Sequence, residues 1–518
     1  MITNNTKKKK IYMLIWIVFL LVLAFSLKYG ISHFGNIGFS EIVFTLNMPM
    51  KGADSQYFKK YVIEAIIPIL IGIVFSIYLL RRKWTKLKLH ISFRTKEREM
   101  IIFPLEHNLV LYTLICLSIF MLIAENANAQ FNLYEYVQGQ LEASSFIEEH
   151  YVKPEKDLIV FPEQKRNLIW IYMESAETTF QDVSNGGMMD QNLIPEMTAL
   201  AKENISFSQT DKISGAAVAP ACGWTIAGLV AQTSGLPLKL FAFDDKKTDN
   251  SMDQYTSFLP GAVSLGEIME DEGYHNVFMA GSDFDFGGRT DYFTQHGNYE
   301  IIDCKSEKKA TLPEEYLAGW GMEDRKLYMD AKEELLRLAE EDQPFNFALL
   351  TVDTHTGGGH VCEGCPDNYD NDYWNVWNCA SKQVYDFVEW IKEQDFYENT
   401  TICITGDHCS METEFLDLDK LEVYDDHNGG TARKVYNVFI NTKVTPTKMK
   451  DRQFTTLDYF PTVLASIGVE IKGERLGLGT NLFSDAATLA EEYGYDYLLE
   501  ELGKKSKFYD NQILYPEN

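Results

Sequence analysis

The sequence is poor in basic residues. Its 47 lysines and arginines stand against 75 aspartates and glutamates, which gives the 518-residue chain a formal charge of -28 at pH 7. A nucleic-acid-binding protein needs a basic surface to neutralise phosphates, so this deficit argues against that class of partner. An acidic protein that handles phosphate esters needs a cation in its site, and the composition therefore weakly indicates a bound metal.

The N-terminus lacks the small-residue cleavage site of a secretory signal peptide. Lys7–Lys10 precede an apolar run at about 11–27, which matches the start of such a peptide, but no cleavage site follows it. Further apolar runs at 61–80 and 108–124 approach the length of about 20 residues that spans a bilayer. We therefore predict a membrane anchor of three spans over residues 1–128.

Basic residues are concentrated in two places, at Lys7–Lys10 and between the second and third spans. Such segments usually stay in the cytoplasm, so everything after Ala124 is expected outside, in a multi-pass protein of the cytoplasmic membrane. Ala127-Asn128-Ala129 resembles a cleavage site, and release of the outer domain there is an alternative. The second basic group comprises Arg81, Arg82, Lys83, Lys86, Lys88, Arg94, Lys96 and Arg98.

From about Asn167 onward, short apolar runs alternate with amphipathic stretches. This alternation predicts an α/β fold, with a mostly parallel sheet covered by helices. We place the catalytic domain at 161–485, after a linker at 129–160 and before a C-terminal tail at 486–518. The predicted strands are Asn167–Met173, His275–Ala280, Phe345–Val352 and Thr400–Thr405, and the predicted helices include Thr225–Gln232, Glu323–Glu340 and Ser381–Gln394.

Each of these four strands ends in polar residues. Strands often end in polar turns, but ligands of open α/β sheets bind beyond the carboxyl ends of the strands, where these side chains would meet. The sequence therefore predicts one convergent site. The residues at the four ends are Glu174, Ser282-Asp283 with Arg289 close behind, Asp353-Thr354-His355, and Asp407-His408.

Asp407 and His408 offer a carboxylate oxygen and an imidazole nitrogen, two donors that suit a divalent cation. Glu174 would add a third donor, and the hydroxyl of Thr225 a fourth. Thr225 follows Cys222-Gly223-Trp224 at the start of a predicted helix, where unpaired backbone N–H groups suit a phosphate. An ordinary helix-capping role for Thr225 is the alternative.

The order of these segments resembles that of the sulfatase-like phosphoglycerol transferases. This group includes the phosphoglycerol transferase I and lipoteichoic acid synthase types, within the alkaline phosphatase superfamily. The likeness extends over about residues 160–480 and implies the alkaline phosphatase/sulfatase-like fold. It is carried by 167–175 (NLIWIYMES), 223–228 (GWTIAG), 351–355 (TVDTH), 405–408 (TGDH) and 456–464 (TLDYFPTVL).

The resemblance also implies an activity. Glycerophosphate would pass from phosphatidylglycerol through a covalent intermediate on Thr225 to a glycan, a glycolipid or a glycerophosphate polymer. A phosphoethanolamine transferase, or a sulfatase or phosphodiesterase that hydrolyses its ester, would be alternatives on the same fold. The expected cation is Mn²⁺, with Mg²⁺ or Zn²⁺ as alternatives. Carried over to this sequence, the metal ligands are Glu174, Thr225, Asp407 and His408, the catalytic residues are Thr225 and His355, and the substrate-binding residues are Arg289 and His355.

The cysteines outside the spans permit two interpretations. Cys362, Cys365 and Cys379 lie close together in the sequence, with His360 nearby. A disulfide would suit an oxidising compartment, whereas three cysteines and one histidine would suit a structural zinc ion. Cys222 lies three residues before the proposed nucleophile, but no Cys-x-Pro-x-Arg pattern surrounds it, which argues against a sulfatase-type oxidised cysteine.

Overall fold

The computed structural model describes residues 2–34, 37–47, 55–82, 84–93, 96–239, 258–306, 320–412 and 433–516. The chain forms two compact units. One contains Met1–Asn36 and Asp54–Tyr134, and the other contains Ile37–Ala53 and Glu135–Asn518. A segment between the first two predicted spans thus belongs to the same unit as the catalytic domain. Lys83 and Arg94 of the predicted basic segment lie outside the described residues.

The first unit is built on long apolar helices. Three segments are long and apolar enough to cross a membrane, Thr6–His33, Phe58–Arg81 and Leu109–Phe131, and they contain the three predicted runs almost completely.

The described α-helices of the whole chain are α1 (Ile2–Phe34), α2 (Phe39–Asn47), α3 (Ser55–Tyr61), α4 (Ile67–Arg81), α5 (Leu109–Phe131), α6 (Leu133–Leu141), α7 (Phe146–His150), α8 (Pro195–Glu203), α9 (Thr225–Ser234), α10 (Leu265–Asp271), α11 (Arg289–Gln295), α12 (Asp324–Ala339), α13 (Asp372–Lys392), α14 (Tyr459–Ser466), α15 (Leu489–Tyr493) and α16 (Tyr495–Gly503).

Within the first unit, a π-helical turn at Val62–Ile66 joins α3 to α4. The three apolar helices pack through aromatic side chains: the Tyr112 hydroxyl donates to the Met13 carbonyl at 2.7 Å, and the rings of Tyr29 and Tyr61 lie 5.1 Å apart. An antiparallel hairpin of β1 (Leu87–Phe93) and β2 (Lys96–Phe103) lies between α4 and α5 and carries three of the basic residues of this segment, Lys88, Lys96 and Arg98.

The second unit is organised around a six-stranded sheet. Its strand order is β6-β5-β7-β4-β8-β9; neighbours are parallel except β8 and β9, which are antiparallel. Short strand pairs, β3 with β10 and β11 with β12, lie outside this sheet. The strands are β3 (Ile159–Val160), β4 (Asn167–Met173), β5 (His275–Ala280), β6 (Glu300–Ile302), β7 (Phe345–Leu350), β8 (Thr400–Gly406), β9 (Asn437–Ile440), β10 (Glu470–Ile471), β11 (Arg475–Leu476) and β12 (Gly479–Thr480).

Helices cover both faces of this sheet. Successive side chains of a strand point to opposite faces, and on β4 Leu168 and Trp170 enter one hydrophobic cluster whereas Ile169 and Ile171 enter the other. The first cluster includes residues of α9, α10 and α14, and the second includes residues of α8, α12 and α13. The predicted fold class, a mostly parallel α/β sheet with helices on both faces, is confirmed.

The four predicted strands form because each is a continuous apolar run that is buried on both sides, as central parallel strands are. Every residue of β7 and of β8 is buried. In α13 the burial pattern is that of an amphipathic helix, because its buried side chains recur at spacings of three and four residues along one face. They include Tyr373, Val376, Trp377, Ala380, Val384, Phe387 and Ile391.

Candidate active site

Three of the predicted ligands meet at the carboxyl ends of β4 and β8, two adjacent parallel strands. Met173 pairs with Gly406 at the last register position, so Glu174 and Asp407 leave the sheet side by side. One donor atom each from Glu174, Asp407 and His408 lies within 4.8 Å of the others. All three side chains are buried. Buried charges of this kind need a partner, and the three donors supply the cluster that the sequence predicts.

The donor atoms are spaced as cation ligands would be. His408 Nε2 lies 3.5 Å from Glu174 Oε1 and 3.4 Å from Asp407 Oδ2. Ligands held at 2.0–2.2 Å around a tetrahedral ion are separated by about 3.3–3.6 Å. The His408 Nδ1–H donates to the Cys409 carbonyl at 2.8 Å, which directs Nε2 toward the carboxylates. The residues present therefore fit a divalent cation.

Asp407 gives a second indication of a cation. Its Oδ1 accepts hydrogen bonds from the backbone N–H groups of Ser175 and His408, both at 2.8 Å. Its Oδ2 is buried and has no hydrogen-bond partner among the described residues. A buried carboxylate oxygen without a partner is costly, and a bound cation is the group that would satisfy it.

Ser175 supports two of these ligands and was not singled out by the sequence. Its backbone has φ of 58°, a left-handed conformation that is unusual outside glycine. In this conformation its N–H donates to Asp407 while its hydroxyl donates to Glu174 Oε1 at 2.7 Å. Strained backbone at such a position is typical of a functional site, because the ligand orientation depends on it.

Thr225 is the first residue of α9, and this helix packs directly on the loop after β8. Gln232 donates to the carbonyls of Gly406 and Asp407 at 2.9 and 3.1 Å. Gly228 is so close that a Cβ there would lie 2.1 Å from the Asp407 carbonyl oxygen. The packing thus brings the N-terminal turn of α9, which carries Thr225, to the loop that carries two of the donors.

The side chains of Arg289 and His355 both interact electrostatically with Glu174, one of the three donors. The Arg289 guanidinium is buried and donates to the carbonyls of Asp283 and Phe286 at 2.6 and 2.9 Å. Burial lowers the pKa of Arg289, and the Glu174 carboxylate is the main group that opposes this. Burial also lowers the pKa of His355, which favours the neutral imidazole near pH 7.

Helix α2 supplies a residue that sequence reasoning missed. The Phe44 ring is buried and lies 5.3 Å from the ring of Trp224, the residue before Thr225. On the same helix, burial raises the pKa of Glu41 to about 8; His408 opposes this rise and Glu174 adds to it. The only signal in the sequence that could have indicated this packing is composition. The segment of α2 is too short to span a membrane but is rich in apolar residues, and such residues need another surface to pack against.

With the geometry established, sequence comparison identifies the family. The profile of the Sulfatase family matches residues 166–469, from the start of β4 to beyond α14. The chain belongs to the Sulfatase family. The matched region contains every residue predicted for the site, and the resemblance stated from the sequence is confirmed at the family level.

Proteins similar to this Sulfatase-family chain include several with the name phosphoglycerol transferase I. Phosphoglycerol transferase I of Xanthomonas axonopodis pv. citri (strain 306) is 29% identical over 359 residues, which cover 67% of this chain and 48% of that protein. Phosphoglycerol transferase I of Escherichia coli (strain UTI89 / UPEC) is 31% identical over 268 residues, covering 51% and 33%. The matched part thus spans about half or less of the length of these relatives.

Solved structures similar to this Sulfatase-family chain include a protein of the alkaline phosphatase superfamily from Vibrio parahaemolyticus. It has a TM-score of 0.47 and 21% identity, and the likeness covers 66% of this chain and 77% of that one. The lipoteichoic acid synthase LtaP from Listeria monocytogenes also has a TM-score of 0.47, with 17% identity and coverage of 65% and 80%.

Proposed function

We propose that this protein is a phosphoglycerol transferase at the outer face of the cytoplasmic membrane. It would take glycerophosphate from phosphatidylglycerol and pass it through Thr225 to a glycan, a glycolipid or a glycerophosphate polymer. The observation that carries the proposal is the buried triad of Glu174, Asp407 and His408, packed against the helix that begins at Thr225. The names of its relatives support the donor class.

Glu174, Asp407 and His408 would hold the cation, with the Thr225 hydroxyl as a further ligand. Mn²⁺ is the cation we propose, because carboxylates, one imidazole and a hydroxyl suit it, although Mg²⁺ and Zn²⁺ share much of this preference. When bound, the ion would act as a Lewis acid that lowers the pKa of a hydroxyl and neutralises phosphate charge.

In the first half of the reaction, the Thr225 hydroxyl loses its proton and its oxygen attacks the phosphorus of phosphatidylglycerol. The bond between phosphorus and the diacylglycerol oxygen breaks, and that oxygen takes a proton as diacylglycerol leaves. The Arg289 guanidinium would bind the phosphate oxygens, whose charge changes most in such a transfer. The N-terminal turn of α9 presents further N–H donors to them.

In the second half, an acceptor hydroxyl attacks the phosphorus on Thr225. The acceptor loses its proton, the bond from phosphorus to the Thr225 oxygen breaks, and the threonine hydroxyl is restored. His355 is suited to move these protons, because its Nδ1 lies 3.1 Å from the Thr356 carbonyl and its Nε2 is then the proton acceptor.

Tethering to a bilayer raises the local concentration of a lipid donor.

The test measures diacylglycerol release by the full chain, in detergent with Mn²⁺ and phosphatidylglycerol labelled in both its acyl chains and its head group. Thr225→Ala should abolish release, and intact mass should show a glycerophosphate adduct on the wild type and on the control variant but not on Thr225→Ala. Thr294→Ala, on an exposed threonine of α11, serves as the matched control. Unchanged turnover in Thr225→Ala would overturn the mechanism.

The same assay distinguishes the other activities of this fold. Preferential consumption of phosphatidylethanolamine would identify a phosphoethanolamine transferase and contradict the proposed donor. Release of free glycerophosphate, at a rate that no glycan or glycolipid acceptor changes, would identify a hydrolase.

A further inference from the structure

A second cluster of metal-binding side chains lies in the loop between β7 and α13 and in α13 itself. The sulfurs of Cys362, Cys365 and Cys379 all lie within 4.8 Å of one another. Cys362 and Cys379 are buried, and Cys365 is half-buried. All eight cysteines of the chain are among the described residues, and none of them forms a disulfide.

The distances between the sulfurs match a shared ion. Cys362 Sγ lies 3.4 Å from Cys365 Sγ and 3.7 Å from Cys379 Sγ. Thiolates bound at about 2.3 Å around a tetrahedral Zn²⁺ are separated by about 3.8 Å, whereas bonded disulfide sulfurs are separated by about 2.05 Å. A disulfide joins two sulfurs and leaves the third aside, but here Cys362 is close to both of the others.

The local backbone also suits a metal. Cys362-Glu363-Gly364-Cys365 has the Cys-x-x-Cys spacing of zinc ribbons, and its turn is closed by the Cys365 N–H donating to the Cys362 carbonyl at 3.0 Å. The Gly364 N–H donates to the Cys362 sulfur. A tight turn would thus supply two ligands and a helix the third, which leaves one position of a tetrahedral ion for a further ligand.

The surroundings can stabilise charged sulfurs. The Gln383 side-chain amide donates to Cys379 Sγ at 3.0 Å and reaches Cys362 Sγ at 3.7 Å. The Arg325 guanidinium interacts electrostatically with Cys362. Three thiolates and one divalent ion would carry a net negative charge, which this guanidinium offsets.

We propose that Cys362, Cys365 and Cys379 bind one structural Zn²⁺, with solvent as the fourth ligand on the half-exposed side. His360, the fourth ligand suggested by the sequence, instead lies beside Glu323, with Nε2 3.7 Å from Oε2. The ion would fasten the loop after β7 to α13. Because this loop begins at the strand end that carries His355, the site would fix the backbone around that histidine.

The first experiment compares the alkylation of the cysteines of the full-length wild type in the presence of a chelator and in the presence of a reductant. If zinc is bound, the three cluster cysteines should resist alkylation until a chelator is added without any reductant, and zinc should be released as they react. A disulfide would overturn the proposal: two cysteines would then stay unreactive with chelator and react once reductant is added. Immediate alkylation of all three would also overturn it.

The second experiment separates this site from the triad of Glu174, Asp407 and His408. In a Glu174→Gln, Asp407→Asn background, we expect one equivalent of zinc, and cobalt substitution should give the charge-transfer absorption of sulfur ligands. Cys365→Ser should lose both signals, whereas Cys304→Ser, outside the cluster, should keep them. Iron in place of zinc, or zinc retained by Cys365→Ser, would contradict the assignment.

Discussion

The two oxygens of Asp407 have different surroundings. Oδ1 is fixed by two backbone N–H groups, whereas Oδ2 is buried without a hydrogen-bond partner among the described residues. Burial, followed by the nearby Glu174 carboxylate, raises the pKa of Asp407 to about 7. A proton and a cation therefore compete for the same oxygen near neutral pH.

We expect the affinity for Mn²⁺ to fall as the pH is lowered through about 7. The pKa is raised, so the carboxyl is protonated below this value and a cation must displace the proton to bind. Calorimetric titration of the full chain at several pH values measures the effect. Asp407→Asn should bind more weakly and with a smaller pH dependence, and an affinity that stays constant across this range would contradict the expectation.

The carboxyl of Glu41, on α2, also has a raised pKa beside the proposed cation site. Its carboxyl interacts electrostatically with His408 and Glu174, and its raised pKa suits proton transfer near neutral pH. Glu41→Gln should reduce glycerophosphate transfer by about 100-fold, the lower end of what a proton-transferring group contributes. The melting temperature should change little.

Ser40→Ala, on the same helix, is the control for Glu41→Gln, because it changes a neighbouring polar side chain without touching the carboxyl. A Glu41→Gln enzyme with the kcat/KM of the wild type would show that the carboxyl has no part in the reaction.

At the scale of elements, the close approach of α9 to the loop after β8 constrains the site. Gly228→Ala would place a Cβ 2.1 Å from the Asp407 carbonyl, so the loop or the helix must move. We expect a loss of about 1–3 kcal/mol in the free energy of unfolding, as in other overpacked cores, together with weaker cation binding.

Gly503→Ala is the matched control for this substitution, since nothing lies within 4 Å of the Cβ that it adds. Thermal unfolding and metal titration of both variants provide the comparison. Equal results for the two variants would mean that the contact between α9 and β8 does not position Asp407.

Four of the six strands of the main sheet could be predicted from the sequence. β4, β5, β7 and β8 were predicted within two residues, because each is a buried apolar run ended by polar groups. Asp407 and His408 could be found for the same reason. β9 is a four-residue antiparallel strand at the edge of the sheet, and it was not predicted although its residues are buried.

The remaining features depend on tertiary packing. No local pattern shows that Phe39–Asn47, which lies far from the catalytic residues in the sequence, packs beside them. The cysteine spacing permitted both a disulfide and a metal site, and the proposal of a zinc ion rests on the arrangement of the three sulfurs, which the spacing does not reveal.

At the scale of the whole molecule, α2 and the catalytic domain belong to one compact unit. Residues 37–47 must therefore lie on the same side of the membrane as the domain. Three spans would place residues 37–47 and the domain on one side of the membrane in either orientation, and the assignment of that side to the outside stays a prediction from the basic residues at Lys7–Lys10 and between the second and third spans.

A protease test checks this topology. In protoplasts or spheroplasts, added protease should remove a C-terminal tag and leave an N-terminal tag intact, because three spans would place the two termini on opposite sides of the membrane. Permeabilised cells, in which both tags should be lost, are the control. A protected C-terminal tag in intact cells would reverse the assignment.

The position of α2 has a practical consequence for anyone who purifies the water-soluble portion by itself. A fragment that starts after α5 omits residues 37–47, so the indole of Trp224 loses the Phe44 ring that covers it and the triad loses the neighbouring Glu41 carboxyl. Such a truncate would retain the Glu174, Asp407 and His408 side chains without these two neighbours. Cation binding is therefore better measured on the intact chain.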